Sequence, residues 1–317
     1  MSNGQVQEFG DEKGTVLYRK EGEVAIVTFN RPEKLNTWFF YGGCRDGLFK
    51  ALDVADNDDD VKVVIINGKG RAFCAGHDLS EVGYAYGYGT GKHGEVQPER
   101  PNQRVRLKVD TFQAYEHFAR LFYYPKITIA SVHGLALGHG MYICEMCDFI
   151  VASEDAVFAH YGQRLGFAGG GGGPILTTVL KVGMNRAREL RLLGRELSAR
   201  EAHEWGLVNS VVPREKLDEE AMRYAKLACL QPADGLRIGK LAWLQTFDTL
   251  GIHADFTYAP VGHTLMTNLR FKPNEFNFFK VRRDKGVREA VHEMHKRYAD
   301  LGMSIADARE KTDAGEK

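Results

Sequence analysis

Three observations predict an α/β fold in which parallel strands alternate with helices and an all-helical segment follows. The middle of the chain runs strand ("ITIASVHG", 127–134), glycine-rich turn, helix ("GMYICEMC", 140–147) and strand ("DFIVASED", 148–155), an alternation that implies parallel pairing between helical layers. "VKVVIING" (61–68) is a short apolar run of the kind that forms a strand buried on both faces. Beyond Pro213 the pattern is almost wholly helical.

Taken in order, "TVLYRKEGEVAIVTFN" (15–30) reads as two β-rich runs joined by a Glu-Gly turn, a hairpin, which "RPEKLNT" (31–37) ends. A helical pattern follows from Trp38 to about Ala55 despite Gly42, Gly43 and Gly47, and stops in the acidic "DNDDD". After the strand 61–68 and "RAFCAGHDLSE" comes "VGYAYGYGTGKHGEVQPERPNQR" (82–104), which reads as a long loop, either a mobile lid or a variable surface insertion. Residues 105–123 recover a helical period. "GFAGGGGGP" leads into a helix from Pro174, a residue suited to a first helical turn. "SARE" (198–201) is a capping box opening another helix, and "LVNSVV" (207–212) is a further strand. The expected division is a core over 1–214, with a loop insertion at about 83–104, and a helical region over 215–317 that is charged and frayed from about Ala306.

The 317 residues are 44% apolar and 26% charged, enough for a sizeable core. Lys plus Arg equals Asp plus Glu at 42 each, so net charge provides no attraction to nucleic acid or an anionic membrane, and neither is expected as a partner. No apolar run approaches the ~18 residues of a membrane span, and "MSNGQVQEFGDEKG" resembles no targeting segment, so a cytoplasmic protein is expected. Five cysteines do not make a disulfide framework. Cys144 and Cys147 form C-x-x-C, but within an apolar helical segment where packing is the expected role.

Two turns carry the chemistry. "AGHDL" (75–79) and "ALGHGMYICEMCD" (136–148) each place a histidine beside glycine at an expected helix start, where unpaired backbone N–H groups point outward. Two such turns aimed at one oxygen form an oxyanion hole, which stabilises charge as a thioester becomes an enolate or a tetrahedral adduct. The glycine run 169–173 fits neither G-x-G-x-x-G nor a P-loop.

Five segments in order, "VTFNRPEKLN", "FCAGHDL", "VHGLALGHGMYICEMCD", "FAHYGQRLGFAGGGGG" and "LLGRELSAREAHEWGLVNSVVP", resemble the crotonase, or enoyl-CoA hydratase/isomerase, superfamily over most of residues 15–215. The resemblance implies a crotonase-like α/β spiral of repeated ββα units and a helical C-terminal region that forms trimers or dimers of trimers. It also implies an acyl-CoA substrate, with CoA entering as part of the thioester and no separate cofactor. The backbone N–H groups of His77 and His139 would hold the thioester oxygen. Their rings are left to pack beneath the loops, touch substrate or exchange protons. Ala75, Asp78, Leu79 and Gly138 belong to the same turns, with Asp78 expected to cap the following helix.

The departures matter more. Where hydratases of this family carry two glutamates that handle water, this sequence has Tyr142 and Gly162. Tyr142 is a hydrogen-bond donor and a poor base, and Gly162 offers space. His160, Tyr161 and Glu145 are the candidates to enter the vacated region, each against a structural alternative. CoA phosphates would meet Lys34 and the basic residues Lys280, Arg282, Arg283 and Lys296. His292 and His295, three apart, lack zincin spacing, and no metal is expected. The function expected is enolate-stabilising hydratase or isomerase chemistry with atypical acid/base residues. A C–C hydrolase acting on a cyclic β-dicarbonyl and a non-catalytic acyl-CoA-binding protein are the alternatives.

Overall fold

The hairpin forms as read: Val16–Glu21 (β2) pairs antiparallel with Val24–Phe29 (β3), and a short strand, Gln7–Phe9 (β1), adds to its outer edge. The computed structural model describes residues 4–38, 42–80, 82, 102–166, 173–266 and 269–301. From β3 the pairing turns parallel through Val63–Gly68 (β4), Ile127–Val132 (β5), Phe149–Ser153 (β7) and Ser210–Val212 (β10), giving one seven-stranded sheet.

A sheet of this kind must be covered on both faces, which is why β4 and β5 read as nearly continuous apolar runs. Val27, Ile66, Ala130 and Ile150 join one core with Leu48, Phe49 and Leu52 of the helix Gly43–Asp56. Val24, Ile26, Val63, Ile65, Ile129 and Val151 form the other with Leu217, Ala221 and Ala225, which repeat every fourth position along the helix Leu217–Cys229.

A second, three-stranded sheet holds Leu135–Leu137 (β6), Val157–Ala159 (β8) and Glu196–Ser198 (β9), and a parallel bridge from Cys74 to Ala136 extends it. The chain therefore climbs in repeated ββα turns. β5, β6 and the helix His139–Met146 make one turn; β7, β8 and the helix Leu176–Val182 make the next. Four further helices, Ala233–Thr249, Ile252–Met266, Phe278–Lys285 and Val287–Ala299, follow Leu217–Cys229. Among the described residues no helix is long and apolar enough to cross a membrane.

Several boundaries differ from expectation. The helix expected from Trp38 begins at Gly43, because Gly42 and Gly43 both take positive φ and turn the chain before it. Trp38 instead bridges to His77 and is 1% exposed in the core. The helix expected from Pro174 begins at Leu176, whose N–H donates to the Asp255 carboxylate at 2.7 Å. The period at 105–123 is one continuous run from Gln103, capped by Asn102, with π-helical hydrogen bonding from Ala114 to Ala119. The turn expected between β5 and helix His139–Met146 contains β6. The capping box at Ser198 and Glu201 forms as read. Residues 83–101, most of the glycine run and the segment beyond Ala306 lie outside the described residues.

Candidate active site

The first glycine turn is held from two sides. Asn36, itself in the left-handed region, donates its amide to the Lys69 and Ala72 carbonyls at 3.0 and 2.7 Å, and Ala75 N–H donates to Leu35. Trp38 N–H donates to the Gly76 carbonyl at 2.7 Å and Asp78 N–H to the Trp38 carbonyl at 3.1 Å, so the backbone of His77 is fixed between them. The second turn is tied to the first by Cys74 N–H on Leu135 and Leu137 N–H on Cys74, both at 3.0 Å, while Gly138 N–H donates to Ala159.

Glycine is required where the turns meet. Gly76 has φ +89°, and a Cβ there would stand 2.8 Å from the Leu137 carbonyl oxygen and 3.5 Å from the His139 nitrogen. A Cβ on Gly140 would come within 2.1 Å of the Cys74 carbonyl oxygen. The backbones of the two turns are thus in direct contact. His139 opens the helix His139–Met146, whose first N–H groups have no helical acceptor and which carries no side-chain cap.

A cavity of about 100 Å³ opens on this junction. Ala75, Gly76, His77, Gly138 and His139 form its floor; Tyr142, His160, Tyr161 and Gly162 one wall; Leu79, Gln113 and His263 are also on its lining. The resemblance-based candidates Ala75, His77, Leu79, Gly138, His139, Tyr142, His160 and Gly162 are therefore brought together.

The rings of His77 and His139 lie in aromatic surroundings. His139 stacks on Trp38 and tilts over Phe118, and His77 meets it edge-on at 4.8 Å. Neither ring nitrogen of His139 has a hydrogen-bond partner among the described residues. Burial pulls the pKa of His77 down to about 3 and that of His139 well below the ordinary histidine value, so both are neutral at physiological pH.

Behind the wall lies a buried polar cluster. His160 Nε2 is 3.1 Å from Glu145 Oε1, which also accepts the Thr178 hydroxyl at 2.6 Å. Arg191 donates to the Tyr142 hydroxyl at 2.8 Å and to the carbonyls of Gly173 and Pro174, and its guanidinium lies 3.3–3.4 Å from both nitrogens of His160. Burial opposes the Glu145 charge, but His160, Arg191 and Thr178 outweigh it and hold the carboxyl below its usual range. Burial, reinforced by Arg191, lowers the pKa of His160, while Glu145 only partly restores it. Burial raises the Tyr142 phenol to about 12 against the pull of Arg191, so it keeps its proton.

Other candidates sit elsewhere. Glu145, one turn beyond Tyr142 on the helix His139–Met146, is fully buried behind His160 and off the cavity lining. The Tyr161 ring lines the cavity, but its hydroxyl turns away to Glu196. Asp78 caps as expected, accepting Ser80 N–H at 3.0 Å. Lys34, Lys280 and Lys296 are exposed and away from the cavity lining, and Arg283 pairs with Asp284. Arg282, expected on phosphate, is instead buried and donates to the Leu79 carbonyl at 2.7 Å, pinning the first loop. Cys144 and Cys147 are buried free thiols whose pKa values burial raises, as packing residues would be.

Sequence reading missed Arg191, Trp38, Gln113, Asp110 and His263. Only Arg191 carried a usable signal: it shares a buried stripe with Ala187 and Leu190 on the helix Met184–Leu193, an arginine on an apolar face.

A ββα spiral whose two glycine turns meet over a buried cavity is the crotonase fold. The Enoyl-CoA hydratase/isomerase family model matches residues 19–249. The chain is 33% identical over 228 residues to 1,2-epoxyphenylacetyl-CoA isomerase of Escherichia coli (strain K12), covering 72% of this chain and 80% of that protein. A crystal structure of an enoyl-CoA hydratase/isomerase from Xanthobacter autotrophicus Py2 superposes with a TM-score of 0.72 at 30% identity, covering 89% of this chain and 98% of the other. An enoyl-CoA hydratase from Mycobacterium smegmatis gives 0.74 at 26% identity, covering 90% and 94%. The chain belongs to the enoyl-CoA hydratase/isomerase family and is an acyl-CoA enzyme.

Proposed function

We propose that the chain binds an acyl-CoA thioester with its carbonyl oxygen between the N–H groups of His77 and His139 and converts it through an enolate. The observation that carries this is the contact between the turns, so close that a Cβ added at Gly76 would stand 2.8 Å from the Leu137 oxygen, with both His77 and His139 on the lining of one cavity. Donors held this rigidly stabilise negative charge without reorganising as it develops. CoA is the anchoring half of the substrate, its thioester bond stays intact, and no separate cofactor is invoked.

The family's water-handling glutamates are replaced by a different arrangement. Tyr142 accepts a hydrogen bond from Arg191, which leaves its own proton to donate into the cavity. His160, backed by Glu145, is a neutral imidazole on the same wall. Gly162 puts no side chain on this lining, which supports an acyl group larger than a short linear chain. The E. coli relative's name refers to a phenylacetyl thioester, which supports a cyclic acyl group here. Cytoplasmic location and self-association through the C-terminal helices complete the reading.

The test is a panel of linear and cyclic enoyl-CoAs assayed with wild type, Tyr142→Phe, His160→Ala and Glu145→Gln. Loss of ~10²–10⁴-fold in kcat with thioester affinity retained is expected for Tyr142 and His160, and a smaller loss for Glu145, which acts through His160. Wild-type turnover in all three variants would remove this wall from the mechanism.

A further inference from the structure

On the cavity lining, the helix Ile252–Met266 contributes His263, and the helix Gln103–Gln113 packs beside it. The buried stripe of Gln103–Gln113 is polar: Arg106, Asp110 and Gln113 are its buried residues. Asp110 is 3% exposed and has both carboxylate oxygens engaged, Oδ1 by His263 Nδ1 at 2.7 Å and Oδ2 by the Thr264 hydroxyl at 2.6 Å. One turn along, Gln113 also lines the cavity, and its Nε2 has no hydrogen-bond partner among the described residues.

An imidazole held through Nδ1 by a buried carboxylate has a fixed tautomer and orientation, and the imidazolium it becomes is stabilised where it forms. His263 differs in this from the other histidines of the cavity. Neither ring nitrogen of His139 has a hydrogen-bond partner among the described residues, and His160 is flanked by the Arg191 guanidinium, which opposes a second positive charge.

We propose that His263 is the base that removes the substrate's carbon-bound proton, in addition to the acid/base wall of Tyr142 and His160, and that Asp110 is its positioning residue. The proposal rests on the thioester site described above. Nε2 of His263 forms its N–H bond with the substrate's acidic carbon-bound proton. The C–H electron pair becomes the enolate double bond, and the negative charge passes to the thioester oxygen at the His77 and His139 N–H groups. The imidazolium, whose proton exchanges with solvent, then returns one proton to the carbon skeleton, so no other reactant is consumed.

The experiment follows exchange of the acyl-CoA α-proton with D2O by NMR, together with turnover of the enoyl-CoA panel. His263→Gln should lower both by at least ~10²-fold while leaving affinity for a saturated acyl-CoA within ~3-fold. His263→Ala should regain activity on addition of free imidazole. Asp110→Asn should lower kcat with little change in KM. If thermal melts show that either His263 variant is unfolded, the imidazole rescue at permissive temperature decides, and no rescue overturns the assignment. Wild-type exchange in His263→Gln overturns it too and leaves the thioester site standing. Absence of exchange and turnover in the wild-type enzyme across the panel overturns both.

Discussion

The imidazole of His139 lies on the indole of Trp38, with ring centroids 4.4 Å apart and planes 24° from parallel. The side chain is thus committed to packing while the backbone of the same residue begins a helix at the cavity floor. His139→Phe keeps the ring and the N–H and removes two buried nitrogens without partners among the described residues. The variant should be more stable by ~1 kcal/mol and keep kcat/KM within ~10-fold. Urea denaturation and steady-state kinetics check this; a ~10²-fold loss of kcat would make the ring a catalyst.

Acid should destabilise the protein well before its carboxylates titrate. Burial lowers the pKa of His77 to about 3 and those of His117 and His139 well below the ordinary value. The unfolded chain takes up protons on these residues below about pH 6.5, and the folded chain does not. Their stability contribution is therefore complete above that pH and is lost as pH falls toward 3. Three such sites cost ~4 kcal/mol between pH 7.5 and 5.5. His117→Phe, among Trp38, Phe49 and Phe118, should recover about a third of the loss. Equal urea midpoints at the two pH values for the wild-type protein would refute the idea.

Gly140→Ala should separate the turns. Its Cβ would meet backbone, the Cys74 carbonyl oxygen at 2.1 Å, which has no rotamer with which to escape. A stability loss of ~2 kcal/mol is expected from the overpacking. The larger effect should be on kcat/KM, which should fall by ~10²-fold or more as the donors lose alignment. A folded variant with wild-type kinetics would mean that the turns do not act together.

Ile238, Leu241 and Trp243 on the helix Ala233–Thr249, with Tyr258 and Leu265 on the next helix, are each more than half exposed. An apolar surface of this extent is expected to be covered by another subunit. Sedimentation should give a trimer or a dimer of trimers, and Trp243→Glu should shift it toward monomer with a retained circular dichroism spectrum. A monomeric wild-type protein would exclude this interface.

The spiral and its turns were legible because their determinants are local. Strand runs of β-branched residues, glycine-rich turns between strand and helix, and the Ser198 capping box act within a few residues of one another. The same locality made "AGHDL" and "LGHGM" recognisable as paired turns. The roles of side chains around them were decided by tertiary structure. Arg106, Asp110 and Gln113 repeat at helical spacing, and a polar stripe ordinarily faces water. Here the helix Ile252–Met266 packs against it, so that the Asp110 carboxylate, shielded from solvent, meets His263 from 153 positions away. Arg282 likewise reads as a phosphate ligand until the last helices fold back and seat it on Leu79. Hydrogen bonding is short-range and charge interactions are weakened by water, so only the tertiary structure, which brings distant segments together and removes water, could assign these residues their partners.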